Sequence, residues 1–199
     1  MKSLMIDLDD TLVSFTDMFV HKANKLISRE MLYRHERLDV SDFTTYDLKS
    51  GFEKHWKNMN PANQTAIYNY CFTEIMKDED LYDDIQLTND YDKIMDIAQK
   101  YKKVGYKIVL NTKVITKEML MAKSKFIYSN IDLFKHFDNI VLDYETGKIE
   151  PKPYYYDIMI DDSPKNIEYY LEKNKNGIAY IPKRCWNKHL EGHERIHFI

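Results

Sequence analysis

Residues 4–15 read LMIDLDDTLVSF, and this stretch decides the fold. Its apolar start is short and is followed at once by polar residues, which is typical of a buried parallel strand that ends between Asp7 and Asp9. The carboxylates of Asp7, Asp9 and Asp10 therefore lie directly beside sequence that must be buried. Crowded like charges at the end of a buried strand indicate a site for a positively charged partner.

The composition is that of a globular protein. Of the 199 residues, 44% are hydrophobic and 14% are aromatic, which predicts one packed domain, or one domain with a large insertion. The 29 basic and 32 acidic side chains leave no basic excess for binding a nucleic-acid polymer. No signal-peptide-like region or membrane-length apolar run is found, so we expect a cytoplasmic protein without a membrane partner. Cys71 and Cys185 lack metal-ligand spacing and are predicted to be reduced thiols.

Strands alternate with helices along most of the chain. Further strands are predicted in YKIVL, FDNIVL, YYYDIMIDD and GIAYI, of which GIAYI is the last, and Gly105 ends the helix before YKIVL. Between residues 38 and 87 the pattern instead predicts two helices separated at Pro61. The sequence therefore predicts an α/β fold: a mostly parallel sheet with helices on both faces and a helical insertion after the first strand.

Polar residues follow three of the predicted strands. The first strand leads into Asp7 and Asp9, the second into Thr112, and a later one into Asp161 and Asp162. Ligand sites of parallel sheets lie at the carboxyl ends of the strands, so we expect these side chains to share one pocket. Carboxylates so close repel one another unless a cation lies among them. Ligand sets of oxygen atoms alone favour Mg²⁺ over zinc, and Mg²⁺ suits a phosphate-bearing substrate.

These motifs resemble those of the haloacid-dehalogenase (HAD) superfamily. DLDDT matches its DxDxT signature, IVLNT matches its second motif with Thr112, and IDDSP matches its acidic fourth motif. Lys152 lies ahead of the last predicted strand, so the motifs occur in the expected order. Two positions depart from the pattern: Asp10 stands where many relatives carry Gly, and NTK replaces a common Thr-Ser pair.

The resemblance extends to the 5′(3′)-deoxyribonucleotidase branch of that superfamily. In this branch an aromatic residue follows the first motif, where Phe15 stands, and a small helical cap is inserted soon afterwards. The segment YIPKRCWNKHLEGHERIHF also resembles the C-terminal segment of the branch, with its aromatic-Asn pair. The resemblance implies a Rossmann-like HAD core of residues 1–15 and 89–199 and a helical cap of residues 16–88.

The resemblance assigns catalytic roles to the first two acids. Asp7 attacks phosphorus to form an aspartyl-phosphate, and Asp9 protonates the leaving oxygen and later takes a proton from water. The metal ion is held by the Asp7 carboxylate, the Asp9 backbone carbonyl and Asp162, with Asp161 beside them. The structural alternatives are turn formation or helix capping by the first acids, and capping by Asp162 of a helix that starts at Pro164.

The resemblance also implies phosphate-binding groups. Thr112 and Lys152 stabilise charge on the phosphoryl oxygens, although Lys148 lies close enough in sequence to serve instead of Lys152. Lys113 supplies a compensating charge where the usual Thr-Ser pair is missing.

Three residues are candidates for substrate binding. Phe15 and Trp56 are aromatic faces on which a base can stack. Lys125 resembles a basic position of the nucleotidase branch, with a solvated helix face as the alternative. Other aromatic residues are assigned to packing: Phe19, Phe43 and Tyr46.

The sequence thus predicts a Mg²⁺-dependent phosphatase of nucleoside monophosphates, with a small-molecule nucleotide as substrate and a homodimer left open. A phosphatase of another small phosphate ester is the alternative within the enzyme class. A non-catalytic Mg²⁺-binding signalling domain resembling response-regulator receivers is the alternative outside it. The order of the motifs argues against a receiver, whose acceptor Asp lies on a middle strand, whereas here the middle strand leads into Thr112.

Overall fold

The structure, a computed structural model, describes residues 1–29, 37–144 and 155–199. Within these ranges, six strands form a single sheet in the order β3-β2-β1-β4-β5-β6. Every neighbouring pair is parallel. The strands are β1 (Ser3–Ile6), β2 (Lys107–Val114), β3 (Asn139–Tyr144), β4 (Ile158–Ile160), β5 (Ile178–Ile181) and β6 (Ile196–Phe198).

Helices connect most of these strands. They are α1 (Phe15–Arg29), α2 (Leu48–His55), α3 (Pro61–Met76), α4 (Tyr91–Lys103), α5 (Lys117–Ser129), α6 (Ile131–Phe134) and α7 (Pro164–Lys173). Short 3-10 helices span Val40–Asp42 and Lys188–Leu190. Among the described residues, none of these helices has the length and apolar character that a membrane crossing requires. The predicted α/β fold with a parallel sheet is confirmed.

The first strand lies at the centre of the sheet. Leu4, Met5 and Ile6 are fully buried, because β1 pairs with β2 on one side and with β4 on the other. Side chains of successive strand residues point to opposite faces, so Leu4 and Ile6 join one hydrophobic cluster while Met5 joins another. The sheet is therefore covered on both faces. The strand order reverses beside β1, which is where open parallel sheets bind ligands.

Helices α1, α2 and α3 lie between β1 and α4 in the chain and pack against one another. We refer to residues 15–29 and 37–88 as the helical segment. Its interior is aromatic: the ring of Phe52 meets the rings of Phe19, Phe43 and Tyr68 at centroid distances of 6.3, 6.1 and 5.4 Å. Pro61 separates α2 from α3, as the sequence predicted, and it begins α3 in a position where its missing N–H costs no hydrogen bond.

The structure differs from the sequence prediction in one additional strand and in the end of β2. GIAYI is not the last strand, because β6 follows it and pairs with β5 through Ala179 and Ile196. β6 has only three residues, too few for a periodic pattern to be recognised. β2 also continues through Thr112 to Val114, because β3 pairs with it along that length. Gly105, with φ of +91°, follows α4 as predicted.

Candidate active site

The loop after β1 is shaped by Asp10. The backbone of Asp10 is in the left-handed region, with φ of +53°, a conformation that glycine adopts without strain. This explains why Gly suits the position in the proteins that the motif resembles. The Asp10 carboxylate accepts hydrogen bonds from the backbone N–H of Thr16 at 2.9 Å and from its hydroxyl at 2.6 Å, at the start of α1. Burial raises the pKa of Asp10 to about 6.

Three buried carboxylates meet at the carboxyl ends of β1 and β4. Oxygen atoms of Asp7, Asp161 and Asp162 all lie within 4.8 Å of one another. Burial, followed by the negative charges of Asp10, Asp161 and Asp7, raises the pKa of Asp162 well above its usual range. A set of hard oxygen donors in this arrangement fits a divalent ion such as Mg²⁺, whose charge offsets the repulsion.

The two acids after β4 make different contacts. Asp161 accepts hydrogen bonds from the Ser163 backbone N–H at 2.9 Å and from the Asn166 side-chain amide at 3.0 Å, so it stabilises the start of α7. Asp162 Oδ1 instead accepts a hydrogen bond from the Thr11 hydroxyl at 3.3 Å. Ser163 is the N-cap of α7. Asp162 is therefore not the cap of α7, and both acids belong to the acidic cluster, with Asp161 also bonded to the first turn of α7.

The loop after β5 closes over this cluster. The indole N–H of Trp186 donates to Asp162 Oδ2 at 3.1 Å, and the amide of Asn187 donates to the Asp162 carbonyl at 3.1 Å. The Arg184 guanidinium donates to the Asp10 carbonyl at 2.8 and 3.2 Å. Trp186 and Asn187 form the aromatic-Asn pair that the sequence analysis pointed out. Their hydrogen bonds hold in place the strand end that carries Asp162.

Asp9 lies beside the acidic cluster and has a separate set of partners. The hydroxyl of Tyr82 donates to one carboxylate oxygen at 2.6 Å, and the ammonium of Lys123 donates to the other at 2.6 Å. Lys123 is fully buried and also donates to Thr112 Oγ1 at 2.5 Å and to the Lys113 carbonyl at 2.7 Å. Burial, together with the charge of Asp9, raises the pKa of Tyr82 well above its usual range, so the phenol keeps its proton.

The predicted lysines lie at different distances from these groups. Lys125 is half-exposed and pairs with Asp80 at 2.6 Å and Asp83 at 2.8 Å, outside the acidic cluster. The Lys113 ammonium lies 2.7 Å from Asp143. Lys152 and Lys148 lie outside the described residues. The structure brings Thr112 to the site through Lys123, which the sequence analysis did not single out.

A cavity of about 190 Å³ adjoins Asp9. Apart from the carboxylates of Asp9 and Asp10, its described lining carries no charged side chain. Phe15 contributes to this cavity, whereas Trp56 packs inside the helical segment against Phe52, at a centroid distance of 5.6 Å. The remaining lining residues are Thr16, Phe43, Thr45, Tyr46, Leu48, Phe72, Met76, Ile115, Met119 and Trp186.

Tyr46 extends from the helical segment to the acidic cluster. The residue is 50% exposed, and its phenol lies beside Ser163 and the acidic cluster. Burial, and then the charges of Asp162, Asp161 and Asp7, raises the pKa of this phenol well above its usual range. Phe43 and Tyr46, which the sequence assigned to packing, are therefore both cavity residues.

No protein-family model matches this sequence, and no curated protein is significantly similar to it. Solved structures are similar in fold. A predicted phosphatase from Clostridium acetobutylicum has 18% identity and a TM-score of 0.58, with 100% of this chain and 94% of that chain covered. A haloacid dehalogenase-like hydrolase from Streptococcus pneumoniae has 16% identity and a TM-score of 0.55, with coverage of 100% and 93%. CbbY from Rhodobacter sphaeroides, in complex with phosphate, has 13% identity and a TM-score of 0.52, with coverage of 100% and 93%. The chain therefore has the fold of the HAD-superfamily hydrolases.

Proposed function

We propose that this protein is a Mg²⁺-dependent phosphatase that hydrolyses nucleoside monophosphates. The observation that carries the proposal is the cluster of Asp7, Asp161 and Asp162, with carboxylate oxygens within 4.8 Å of one another beside Asp9. Solved proteins of the same fold include a predicted phosphatase and a protein bound to phosphate, which supports the same reaction class.

The two acids of the first motif divide the chemistry between them. An oxygen of Asp7 bonds to phosphorus while the bond from phosphorus to the leaving oxygen breaks, and protonated Asp9 gives its proton to that oxygen. Asp9, now a carboxylate, then takes a proton from water as the water oxygen bonds to phosphorus. The bond between Asp7 and phosphorus breaks in this second step, which releases inorganic phosphate and restores both carboxyl groups.

The neighbouring groups stabilise the charge of the phosphoryl oxygens. The carboxylates of Asp7, Asp161 and Asp162 would hold Mg²⁺, together with the Asp9 carbonyl that the family resemblance implies. Mg²⁺ supplies charge neutralisation at the phosphoryl group when it is bound. Lys123 lies within 2.6 Å of the Asp9 carboxylate and bonds to Thr112, so its ammonium is close to the reacting atoms.

The cavity lining favours a nucleoside as the leaving group. The rings of Phe15, Phe43 and Trp186 offer faces on which a base can stack, and the described lining has no cation to attract a second anionic group. This disfavours substrates that carry a carboxylate besides the phosphate. The volume of about 190 Å³ is below the usual range for small-molecule sites, which fits a closed position of the helical segment. We propose that residues 16–88 act as a cap that opens to admit the substrate.

The test is phosphate release from a panel of deoxy- and ribonucleoside monophosphates, sugar phosphates and phosphorylated carboxylic acids. Each substrate is assayed with Mg²⁺ and with a chelator, using the wild type, Asp7→Asn and the matched variant Asp132→Asn. Asp132 is exposed on α6 and pairs with Lys135 one turn away, outside the acidic cluster, so we expect its replacement to leave the site intact. We expect Mg²⁺-dependent hydrolysis of nucleotides, a loss of at least about 10³-fold in Asp7→Asn, and wild-type rates in Asp132→Asn.

The pattern of activity separates the alternatives. Hydrolysis confined to sugar phosphates would keep the mechanism and replace the substrate class. Stable phosphorylation of the protein without turnover would favour the signalling domain. Activity that survives both the chelator and Asp7→Asn would contradict the proposed function.

A further inference from the structure

Both carboxylate oxygens of Asp9 are held by donors from other elements. The Tyr82 hydroxyl is 2.6 Å from Oδ1, and the Lys123 ammonium is 2.6 Å from Oδ2. Tyr82 lies between α3 and α4, where the chain returns from the helical segment to the sheet, and it is 1% exposed. Hydrogen bonds to a carboxylate are short and directional, so two donors from separate elements select one orientation of the Asp9 carboxyl group.

The ring of Tyr82 is itself fixed by packing. Its centroid lies 6.2 Å from that of Phe15 and 5.8 Å from that of Phe126. The Lys123 ammonium lies 5.7 Å from the same centroid, within the range of a cation–π contact. A buried ring with neighbours on several sides has little rotational freedom, so its hydroxyl occupies a defined point beside Asp9.

We propose that Tyr82 is a positioning residue that keeps the carboxyl group of Asp9 aimed at the leaving oxygen of the substrate. The inference rests on the proposed function, in which Asp9 gives a proton to that oxygen as its bond to phosphorus breaks. Tyr82 itself keeps its proton and acts only through its hydrogen bond to Asp9. Displacement of a reacting group by about 1 Å lowers rates by as much as 10²-fold, so the loss of one orienting bond has a measurable effect.

Substrates with different leaving groups isolate this role. A nucleoside alkoxide is a poor leaving group and needs the proton of Asp9, whereas p-nitrophenolate is a stable anion and needs it far less. The ratio kcat/KM reports only the steps up to departure of the leaving group, so later hydrolysis of the phosphorylated enzyme does not enter. A general loss of folded protein lowers kcat/KM equally for both substrates.

The first experiment compares Tyr82→Phe with Tyr170→Phe. Tyr170 is also fully buried and donates one hydrogen bond, to the Asp157 carbonyl at 2.7 Å, away from the site. For Tyr82→Phe we expect kcat/KM to fall about tenfold for the best nucleoside monophosphate and less than about twofold for p-nitrophenyl phosphate. For Tyr170→Phe we expect equal changes for the two substrates, with thermal melting recorded for both variants.

The second experiment repeats Tyr82→Phe in an Asp9→Asn background. A residue that acts through Asp9 has no further effect on the ratio of the two kcat/KM values once Asp9 is replaced. The inference is overturned if Tyr82→Phe lowers kcat/KM equally for both substrates, which leaves the ratio of the two values unchanged. It is also overturned if the double variant changes that ratio further than Asp9→Asn does. The phosphatase activity would stand in either case. A wild type that hydrolyses no phosphate ester would overturn the proposed function, and this inference with it.

Discussion

A lysine without solvent exposure lies next to the proposed proton donor. Removing an ammonium group from water is costly, and hydrogen bonds to Asp9, Thr112 and the Lys113 carbonyl compensate for that loss in Lys123. In the proposed function, the same three bonds hold the ammonium close to the phosphoryl group, where negative charge would develop. The side chain therefore connects the second strand of the sheet with the loop after the first.

Replacing Lys123 by Met is expected to lower kcat/KM for the best substrate by about 10²- to 10³-fold, because a preorganised donor at the phosphoryl group is lost. Lys125→Met, two positions along α5, changes a half-exposed side chain paired with Asp80 and Asp83, and we expect less than about a twofold effect. Steady-state kinetics of the two variants measure the difference. A large loss in Lys125→Met, with little in Lys123→Met, would restore Lys125 as the substrate-binding lysine.

Sequence reasoning selected Lys125 for its resemblance to a basic position of the nucleotidase branch, without considering which face of the helix it lies on. Residues two apart on a helix point about 200° away from each other, so a shift of two positions exchanges a buried face for a solvated one. The sequence does contain a pattern that points to Lys123. This residue follows Met119 by four positions and precedes Phe126 by three, so it shares a helix face with these two buried side chains. A lysine on the apolar stripe of a helix beside a predicted active site is a candidate for a buried ion pair.

At the scale of elements, helix α2 shapes the cavity through a missing side chain. The ring of Phe43 lies against Gly51, where an added Cβ would come within 2.5 Å of ring carbons. Phe43 also meets Phe52 edge to face at 6.1 Å and lines the cavity. Gly51 therefore sets how far the Phe43 ring can withdraw from the space that we assign to the substrate.

For Gly51→Ala we expect KM for the best nucleotide to rise several-fold with a smaller change in kcat, because the Phe43 ring is pushed toward the cavity. The strain of about 1–3 kcal/mol exceeds the gain of about 1 kcal/mol in helix propensity, so the free energy of unfolding should also fall. Gly177→Ala is the matched control, since its Cβ would meet the Tyr170 ring at a similar 2.6 Å away from the cavity. An equal rise of KM in both variants would show that the effect is general destabilisation.

The order of elements was predictable, and their ends less so. The apolar runs of β1, β4 and β5 are fully or half buried, which is why their composition predicted parallel strands. β6 was missed because three residues give no pattern, and β2 was predicted too short because its last residues are held by pairing with β3. Both errors arise where neighbouring strands, and not local sequence, decide the structure.

For the whole molecule, the acidic cluster links metal binding to stability. Three buried carboxylates within 4.8 Å repel one another, so a cation that binds the folded state alone relieves this repulsion. At a Mg²⁺ concentration of 100 times the Kd, binding adds about 2.7 kcal/mol to the free energy of unfolding. For a chain of this size, that corresponds to a rise in melting temperature of roughly 5–10 °C.

Thermal melting with and without Mg²⁺ tests this expectation. We expect Asp162→Asn to melt higher than the wild type in chelator, because one buried charge is removed, and to lose most of the Mg²⁺-dependent rise. Asp132→Asn, which alters an exposed acid, should keep the full rise. A melting temperature of the wild type that is independent of Mg²⁺ would contradict a metal site at the acidic cluster.

At this scale, the sequence predicted the acids of the cluster and missed the long-range partners of Asp9 and Asp10. Asp7, Asp161 and Asp162 follow buried strands, so the geometry of a parallel sheet was enough to bring them together. Tyr82 reaches Asp9 across 73 positions, and Arg184 reaches the Asp10 carbonyl across 174. Contacts over such separations depend on how the helical segment and the loop after β5 fold onto the sheet, which local patterns do not encode.

The position of β1 between β2 and β4 also governs when the site can exist during synthesis. Leu4 pairs with Ile158, and Arg184 bonds to the Asp10 carbonyl 174 positions earlier, so β1 and the loop after it are completed only by segments that lie far along the chain. Closing such long loops carries an entropic cost that only the completed sheet offsets. A nascent chain that has not yet reached β4 carries Asp7 without Asp161 and Asp162, so the acidic cluster can form only after these later residues have been translated.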